Sequence, residues 1–187
     1  MHKTKRAIFD KSMQLFADKG YNDTSIEEIT AVAGIAKGTF YYHFSSKEEV
    51  FNFLIDEGMK LLMNNIEIKT NKAKNSIGKL KAIILLQIKI VVKYENFIRL
   101  VLSEMWGKDK RSIKCKQCIL DYIDEIEKIV QEGINNNEIK GKDAETIAYN
   151  IFGLISACLI KKQKISGDID IISTYHQFCK GMGLEEK

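Results

Sequence analysis

Thr24-Ser25-Ile26-Glu27-Glu28-Ile29-Thr30-Ala31-Val32-Ala33-Gly34-Ile35-Ala36-Lys37-Gly38-Thr39-Phe40-Tyr41-Tyr42-His43-Phe44-Ser45-Ser46-Lys47 reads as two short helices around a tight turn. Thr24 or Ser25 can cap the first helix, because Glu27 and Glu28 each stand three residues later and close a capping box. Ile26, Ile29 and Ala33 fall on one face at helical spacing. Gly34 takes the positive φ that follows a helix end, and the apolar Ile35 plugs the corner. From Ala36 a second helix turns Phe40 and Phe44, four apart, toward the interior. Its outer face then carries Lys37, Gly38, Thr39, Tyr42 and His43. The side chains among these donate hydrogen bonds, and Gly38 lets a partner's backbone come close. A short helix with a polar, basic and aromatic outer face suits the major groove of double-stranded DNA. The stretch is a helix-turn-helix, with Lys37, Gly38, Thr39 and Tyr42 expected at base edges or the groove floor.

Working outward, the preceding residues form a helix from about Lys5 to Lys19, with Ile8, Ser12, Leu15 and Phe16 as its inner stripe. Gly20 ends that helix, and Tyr21 packs beneath the turn before Thr24. Downstream, Ser45 and Ser46 stand at capping-box spacing from the acidic pair Glu48 and Glu49. The helix they start is expected from Lys47 to about Ile66, with Val50, Phe51, Leu54, Ile55, Gly58, Leu61 and Leu62 facing inward.

Gly34-Ile-Ala-Lys-Gly-Thr-Phe-Tyr-Tyr-His-Phe-Ser-Ser-Lys-Glu-Glu-Val50, with Leu15-Phe-Ala-Asp-Lys-Gly-Tyr-Asn-Asp-Thr-Ser-Ile26 before it, resembles the DNA-binding signature of the tetracycline-repressor (TetR) family. The resemblance covers about a quarter of the chain, residues 5–54, at many positions of fixed spacing. It implies an all-α protein of about nine helices. Residues 1–46 would form a three-helix DNA-binding domain, and residues 47–187 a helical effector-binding and dimerisation domain. It also implies a homodimer on a palindromic operator and a repressor released by a small-molecule effector, with the fourth helix as the lever between the two functions. Matched positions imply phosphate contacts at Thr24, Ser25, Tyr41, His43 and Lys47, whose hydroxyls, imidazole and ammonium suit anionic oxygens. Ala36 departs from a pattern that often has Ser there, which removes one possible cap or phosphate donor.

Composition is consistent with this. The chain has 187 residues, a net charge of +4, no proline and few glycines, a balance that favours helices and permits nucleic-acid binding. The most apolar run, Ala82–Val92, is far shorter than the roughly 20 residues of a membrane span and reads as a core helix. Four cysteines without a secretion signal read as reduced thiols of a cytoplasmic protein. Glycine loops for phosphate, nucleophile elbows and paired zinc-binding histidines are missing, so neither an enzyme, a cofactor nor a metal is expected.

The remaining sequence predicts helices over about Ser76–Lys93, Glu95–Trp106, Arg111–Asn135, Ala144–Lys162 and Ile169–Met182, with Asp143 and Asp170 as N-caps. Met59, Met63, Phe97, Leu100, Trp106 and Tyr122 are the adaptable or aromatic residues expected to line an effector site, and Glu104 to face a cationic ligand or solvent. Ile151, Phe152, Ile155, Leu159, Ile172, Tyr175 and Cys179 give the last two helices broad apolar faces, expected to form a two-fold four-helix interface. Gly153, Ser156 and Ala157 permit close helix approach. Cys115 and Cys118 offer an alternative, a thiol- or metal-responsive regulator, although their spacing falls within an amphipathic helix rather than a turn. A further alternative is an architectural DNA-binding protein without an effector.

Overall fold

The computed structural model describes residues 2–141, 143–164 and 169–184. Among these residues the chain is all helical: α1 (Lys3–Lys19), α2 (Ile26–Ala33), α3 (Lys37–His43), α4 (Lys47–Thr70), α5 (Ser76–Lys93), α6 (Glu95–Glu104), α7 (Lys110–Asn135), α8 (Ala144–Lys164) and α9 (Ile171–Gly181). The helix ends follow from local chemistry. Ser25 and Glu28 form the capping box of α2, which settles the choice between Thr24 and Ser25. Gly20 closes α1 at φ 89°, and Gly34 closes α2 in the left-handed region at φ 66°. The Ser46 hydroxyl accepts from the Glu49 N–H at 3.1 Å, while the Glu49 carboxylate accepts from the Ser45 N–H at 2.6 Å. Asp109, Asp143 and Asp170 accept from the N–H three residues on, starting α7, α8 and α9.

The largest departure from expectation is at the end of α4. Helix α4 continues past Ile66 to Thr70, whose buried hydroxyl bonds back to the Ile66 carbonyl at 2.9 Å, and residues 71–75 connect it to α5. Helix α6 stops at Glu104, because the Gly107 N–H turns back onto the Glu104 carbonyl and Asp109 then caps the next helix. Leu61, expected inward, is half exposed.

The chain packs as two compact units: residues 1–60 with 96–116, and residues 61–95 with 117–187. The first 46 residues thus share a unit with the start of α4, α6 and the start of α7. Its core is aromatic. Phe16, Tyr21 and Phe51 meet at centroid distances of 5.2–6.2 Å, and Phe40 and Phe44 are buried beside Ile8, Ile29, Val50, Leu54 and Ile55. Helix α6 closes on α4 where the Phe97 ring lies over Gly58; a Cβ there would stand 2.2 Å from the ring.

The second unit is aliphatic. Helix α5 packs on α8 and α9 and buries Leu80, Ile83, Ile84, Ile88 and Val91, and those two helices bury Ala148, Ile151, Ile155, Leu159 and Cys179. Ion pairs close its rim, Lys79 to Glu132 at 2.7 Å and Lys162 to Glu95 at 2.9 Å. By length and hydropathy α8 would suffice to cross a membrane, but one side of it packs on α5.

Candidate nucleic-acid interface

Helix α3 is held by its inner face. Phe40 is fully buried, and Phe44 immediately after the helix is nearly so, their rings 6.2 Å apart. That anchoring turns Lys37, Gly38, Tyr41 and Tyr42 to solvent, with Thr39 and His43 at the margin. Tyr42 is 84% exposed and Tyr41 48%. Both rings leave apolar surface in water that an interior position would cover, Tyr42 far more of it than Tyr41. Among the described residues, nothing beyond its chain neighbours and the adjoining backbone of α3 comes within 4 Å of where a Gly38 Cβ would stand, so the backbone is open to approach. The His43 ring meets Tyr42 edge-on at 5.0 Å and His2 at 5.7 Å, placing the start of α1 beside the end of α3.

Charge on this face is partly internal. The Lys37 ammonium is paired with the Glu27 carboxylate of the first turn of α2. That contact pushes the Lys37 pKa up and the Glu27 pKa down, each chiefly through the shared hydrogen bond. Glu28, bonded to Lys19 at 2.5 Å and to the Ser25 N–H at 2.9 Å, has its pKa lowered to about 2, the Lys19 hydrogen bond being the first cause.

Two of the residues expected at phosphate have a different task. The Thr24 side chain is buried, and its hydroxyl donates to the Gly20 carbonyl at 2.8 Å. The Lys47 ammonium donates to the carbonyls of Tyr21 at 2.7 Å, Thr24 at 2.6 Å and Asn22 at 3.4 Å, and lies 4.3 Å from the centroid of the Tyr21 ring. An ammonium has three protons, and here the turn takes them all. Burial, then the nearby Arg111, pushes the Lys47 pKa down. Lys47 ties the start of α4 to the turn that feeds α2, so it positions Ser25 rather than reaching for DNA. Ser25 keeps part of its surface, but its hydroxyl is engaged in the cap.

The same turn is gripped by residues the sequence reading passed over. The Arg111 guanidinium lies 3.8 Å from the Tyr21 centroid, donates to the Asn22 side-chain carbonyl at 3.3 Å, and pairs with Glu104 and Asp109. Arg99 donates to the Ala17 carbonyl at 2.9 Å and pairs with Asp18 at the end of α1. No local pattern announces these contacts, since they join residues about 80–90 positions apart. The one available signal was an arginine beside an acidic cap.

The residues expected around an effector fall in both units. Met59, Phe97, Leu100, Glu104 and Trp106 belong to the first, Met63 and Tyr122 to the second. Phe97 and Leu100 are buried core, Phe97 covering Gly58; Glu104 is the partner of Arg111; Trp106 is 79% exposed; Met59 and Met63 are half-buried. Tyr122 is buried and hydrogen-bonded to Gln87 at 2.6 Å. Of the expected interface set, Ile151, Ile155, Leu159 and Cys179 are buried within their own unit, Phe152 and Tyr175 are half-buried, and Ile172 is exposed. The outer side of α8 instead shows Tyr149, Gly153, Ala157 and Ile160, a face that the sequence reading assigned only through its small residues. Cys115 is buried, Cys118 partly so, and burial pushes the Cys158 thiol pKa up, against thiolate chemistry. No cluster of three or more His, Cys, Asp or Glu side chains able to hold a metal occurs among the described residues.

Residues 8–53 match the model of the bacterial regulatory proteins of the tetR family. An HTH-type transcriptional regulator of Bacillus subtilis is 29% identical over 136 residues, 71% of this chain but only 41% of the regulator's own length. The fatty acid metabolism regulator protein of the same organism is 26% identical over 150 residues, 79% of this chain and 77% of that protein. Among solved structures, a Clostridium perfringens protein assigned as a fatty acid metabolism regulator superposes with a TM-score of 0.88 at 29% identity, covering 97% of this chain and 99% of that one. The transcriptional regulator FadR of Bacillus subtilis, in complex with stearoyl-CoA, shares the fold at a TM-score of 0.78 and 23% identity, over 95% and 97% of the two chains. With the helix-turn-helix signature matched and the fold shared from end to end, the chain belongs to the TetR family of bacterial regulatory proteins.

Proposed function

We propose that this chain is a transcriptional repressor of the bacterial cytoplasm that binds a palindromic operator as a homodimer and is released by an acyl-CoA. The observation that carries the DNA-binding part is the outer face of α3, where Tyr41 and Tyr42 stand in solvent beside Lys37 and the open Gly38 backbone. Lys37, Gly38, Thr39 and Tyr42 read the groove, while Ser25, Tyr41 and His43 face phosphate. Residues 1–46 are the reading head; residues 47–187 hold the effector and the second subunit.

Dimerisation is supported by α8, one side of which packs on α5 while the other exposes Tyr149 and Ile160 around Gly153 and Ala157. Large apolar residues beside small ones suit close packing of a second helix. Ile172 of α9 is likewise exposed. The effector class is supported by the relatives, two of which are named for fatty acid metabolism and one of which was solved with stearoyl-CoA. Helices α4 and α7 each have residues in both compact units, so each belongs to the head and to the effector-binding part alike. Two recognition helices must sit about 34–36 Å apart to enter successive major grooves, so a small tilt defeats one of them. A hundredfold preference of the effector for the tilted state is a coupling of about 2.7 kcal/mol.

The test is fluorescence anisotropy on an operator selected from random duplexes. Stearoyl-CoA should release the duplex at stoichiometric concentration, and bound operator should weaken acyl-CoA binding by the same factor. Failure to select any duplex removes the whole reading; operator binding indifferent to acyl-CoAs of every chain length removes the effector class.

A further inference from the structure

In the aliphatic core of the second unit, one pair of side chains is out of keeping with its surroundings. Gln87 of α5 and Tyr122 of α7 are each 2% exposed, and the Gln87 Nε2 donates to the Tyr122 hydroxyl at 2.6 Å. Around them in sequence stand Ile83, Ile84, Ile88, Ile119, Ile123 and Ile126, all buried. The Gln87 Oε1 has no partner among the described residues. The phenol, whose oxygen accepts from Gln87, keeps its own O–H for another acceptor, and burial pushes its pKa up so that the proton stays on. The pair therefore offers one unused acceptor and one unused donor.

Reversing the amide does not change this. Tyr122 would then donate to Oε1, leaving the amide N–H groups as the free donor and the phenol oxygen as the free acceptor. An orphaned polar atom in such a core is a standing cost, and an apolar pair of similar volume would remove it. Phe152, whose ring meets Tyr122 edge-on at 6.2 Å, orients the phenol without using its hydroxyl.

We infer that Gln87 and Tyr122 are a polar anchor for the effector, built to bind a neutral group that both donates and accepts, namely a secondary amide. This rests on the reading of the chain as effector-responsive. A carboxylate is disfavoured, because it has no proton to give the pair's free acceptor, and among the described residues no charged side chain is buried in this core to neutralise it. An acyl chain alone would not satisfy the pair. The pantetheine arm of an acyl-CoA carries secondary amides, and so does a free N-alkyl fatty amide; both present the chemistry the anchor reads.

The experiment compares the full chain with its Gln87→Leu/Tyr122→Phe double variant. Thermal melting is measured without ligand, and calorimetric titration with stearoyl-CoA, N-ethylstearamide and stearate. The double variant should melt about 2–4 °C higher, since the orphaned atom is gone, and bind stearoyl-CoA at least about tenfold more weakly through the lost hydrogen bonds. Equal affinity for stearoyl-CoA in the two proteins overturns the anchor while leaving the acyl-CoA reading intact. If wild type binds N-ethylstearamide but not stearoyl-CoA, the CoA reading falls and the anchor stands, provided the double variant loses the amide. If wild type binds neither probe, the anchor is overturned whichever way the melting temperatures fall. Should the double variant fail to fold, Tyr122→Phe alone, which keeps the ring and its contact with Phe152, takes its place in the same titrations.

Discussion

The two compact units are stabilised by different chemistry. In the first, aromatic rings pack edge to face around Tyr21, and Lys47 and Arg111 each bring a cation against that ring while holding the turn it belongs to. In the second, isoleucines and leucines dominate, a polar pair keeps hydrogen-bonding capacity in reserve, and one side of α8 stays apolar in solvent. Charge-assisted hydrogen bonds fix the geometry of the groups they join. Substitutions in the interior of the first unit should therefore register as lost folding, and those on the outer side of α8 as lost assembly.

Two glycines give the sharpest contrast. Gly58→Leu would drive a side chain into the buried Phe97 ring, whose atoms lie 2.2 Å from the Cβ position. A loss of about 3 kcal/mol, the upper end for overpacking, is expected as a fall of roughly 6–12 °C in Tm. At Gly153 an added Cβ meets no neighbouring element within 4 Å among the described residues, so for Gly153→Leu Tm of the monomer should hold while sedimentation reports loss of the dimer. A Gly58 variant as stable as wild type would erase the contrast.

Lys47→Met removes the charged donor from the carbonyls of Tyr21 and Thr24 and should cost about 2 kcal/mol. Operator affinity should fall with it, yet the slope of log affinity against log salt should stay as in wild type. A true phosphate contact would reduce that slope by about one unit. A reduced slope with unchanged folding would return Lys47 to the DNA surface.

A smaller effect comes from Glu28. Its pKa is about 2 in the folded chain against an ordinary 4.5, so the unfolded chain binds its proton first as acid is added. The cap's contribution is complete above about pH 4.5 and is lost progressively as pH falls toward 2. Glu28→Gln should flatten the part of the melting curve between pH 5 and pH 3 that this residue contributes, read by circular dichroism. An unchanged profile would mean that the Lys19 and Ser25 contacts do not form in solution.

Much of this was legible in the sequence, because helices announce themselves locally. The Ser25–Glu28 box, Gly34, the inward Phe40 and Phe44, and the Asp143 and Asp170 caps all follow from short-range spacing. What failed to show was partnership across distance. Lys47 stands where the family motif has its phosphate contacts, yet a lysine's reach is decided by which carbonyls lie nearby, and those belong to residues 21–24. The grip of Arg111 on Tyr21 depends on where α7 begins in space. On α8 the apolar residues occur on both sides, so periodicity could not say which side faces α5; the structure gives Ile151, Ile155 and Leu159 to the core and leaves Tyr149 and Ile160 outside.

The proposed reading of DNA by the outer face of α3 rests most on Tyr42, the more exposed of its two tyrosines, which has little part in holding the fold. The direct test is to measure thermal stability and operator affinity of wild type and Tyr42→Ala side by side, on a duplex selected by wild type. The account predicts stability within about 0.5 kcal/mol of wild type, together with affinity reduced at least about tenfold and a changed base preference at one position of each half-site. Equal affinity and an unchanged preference would contradict it.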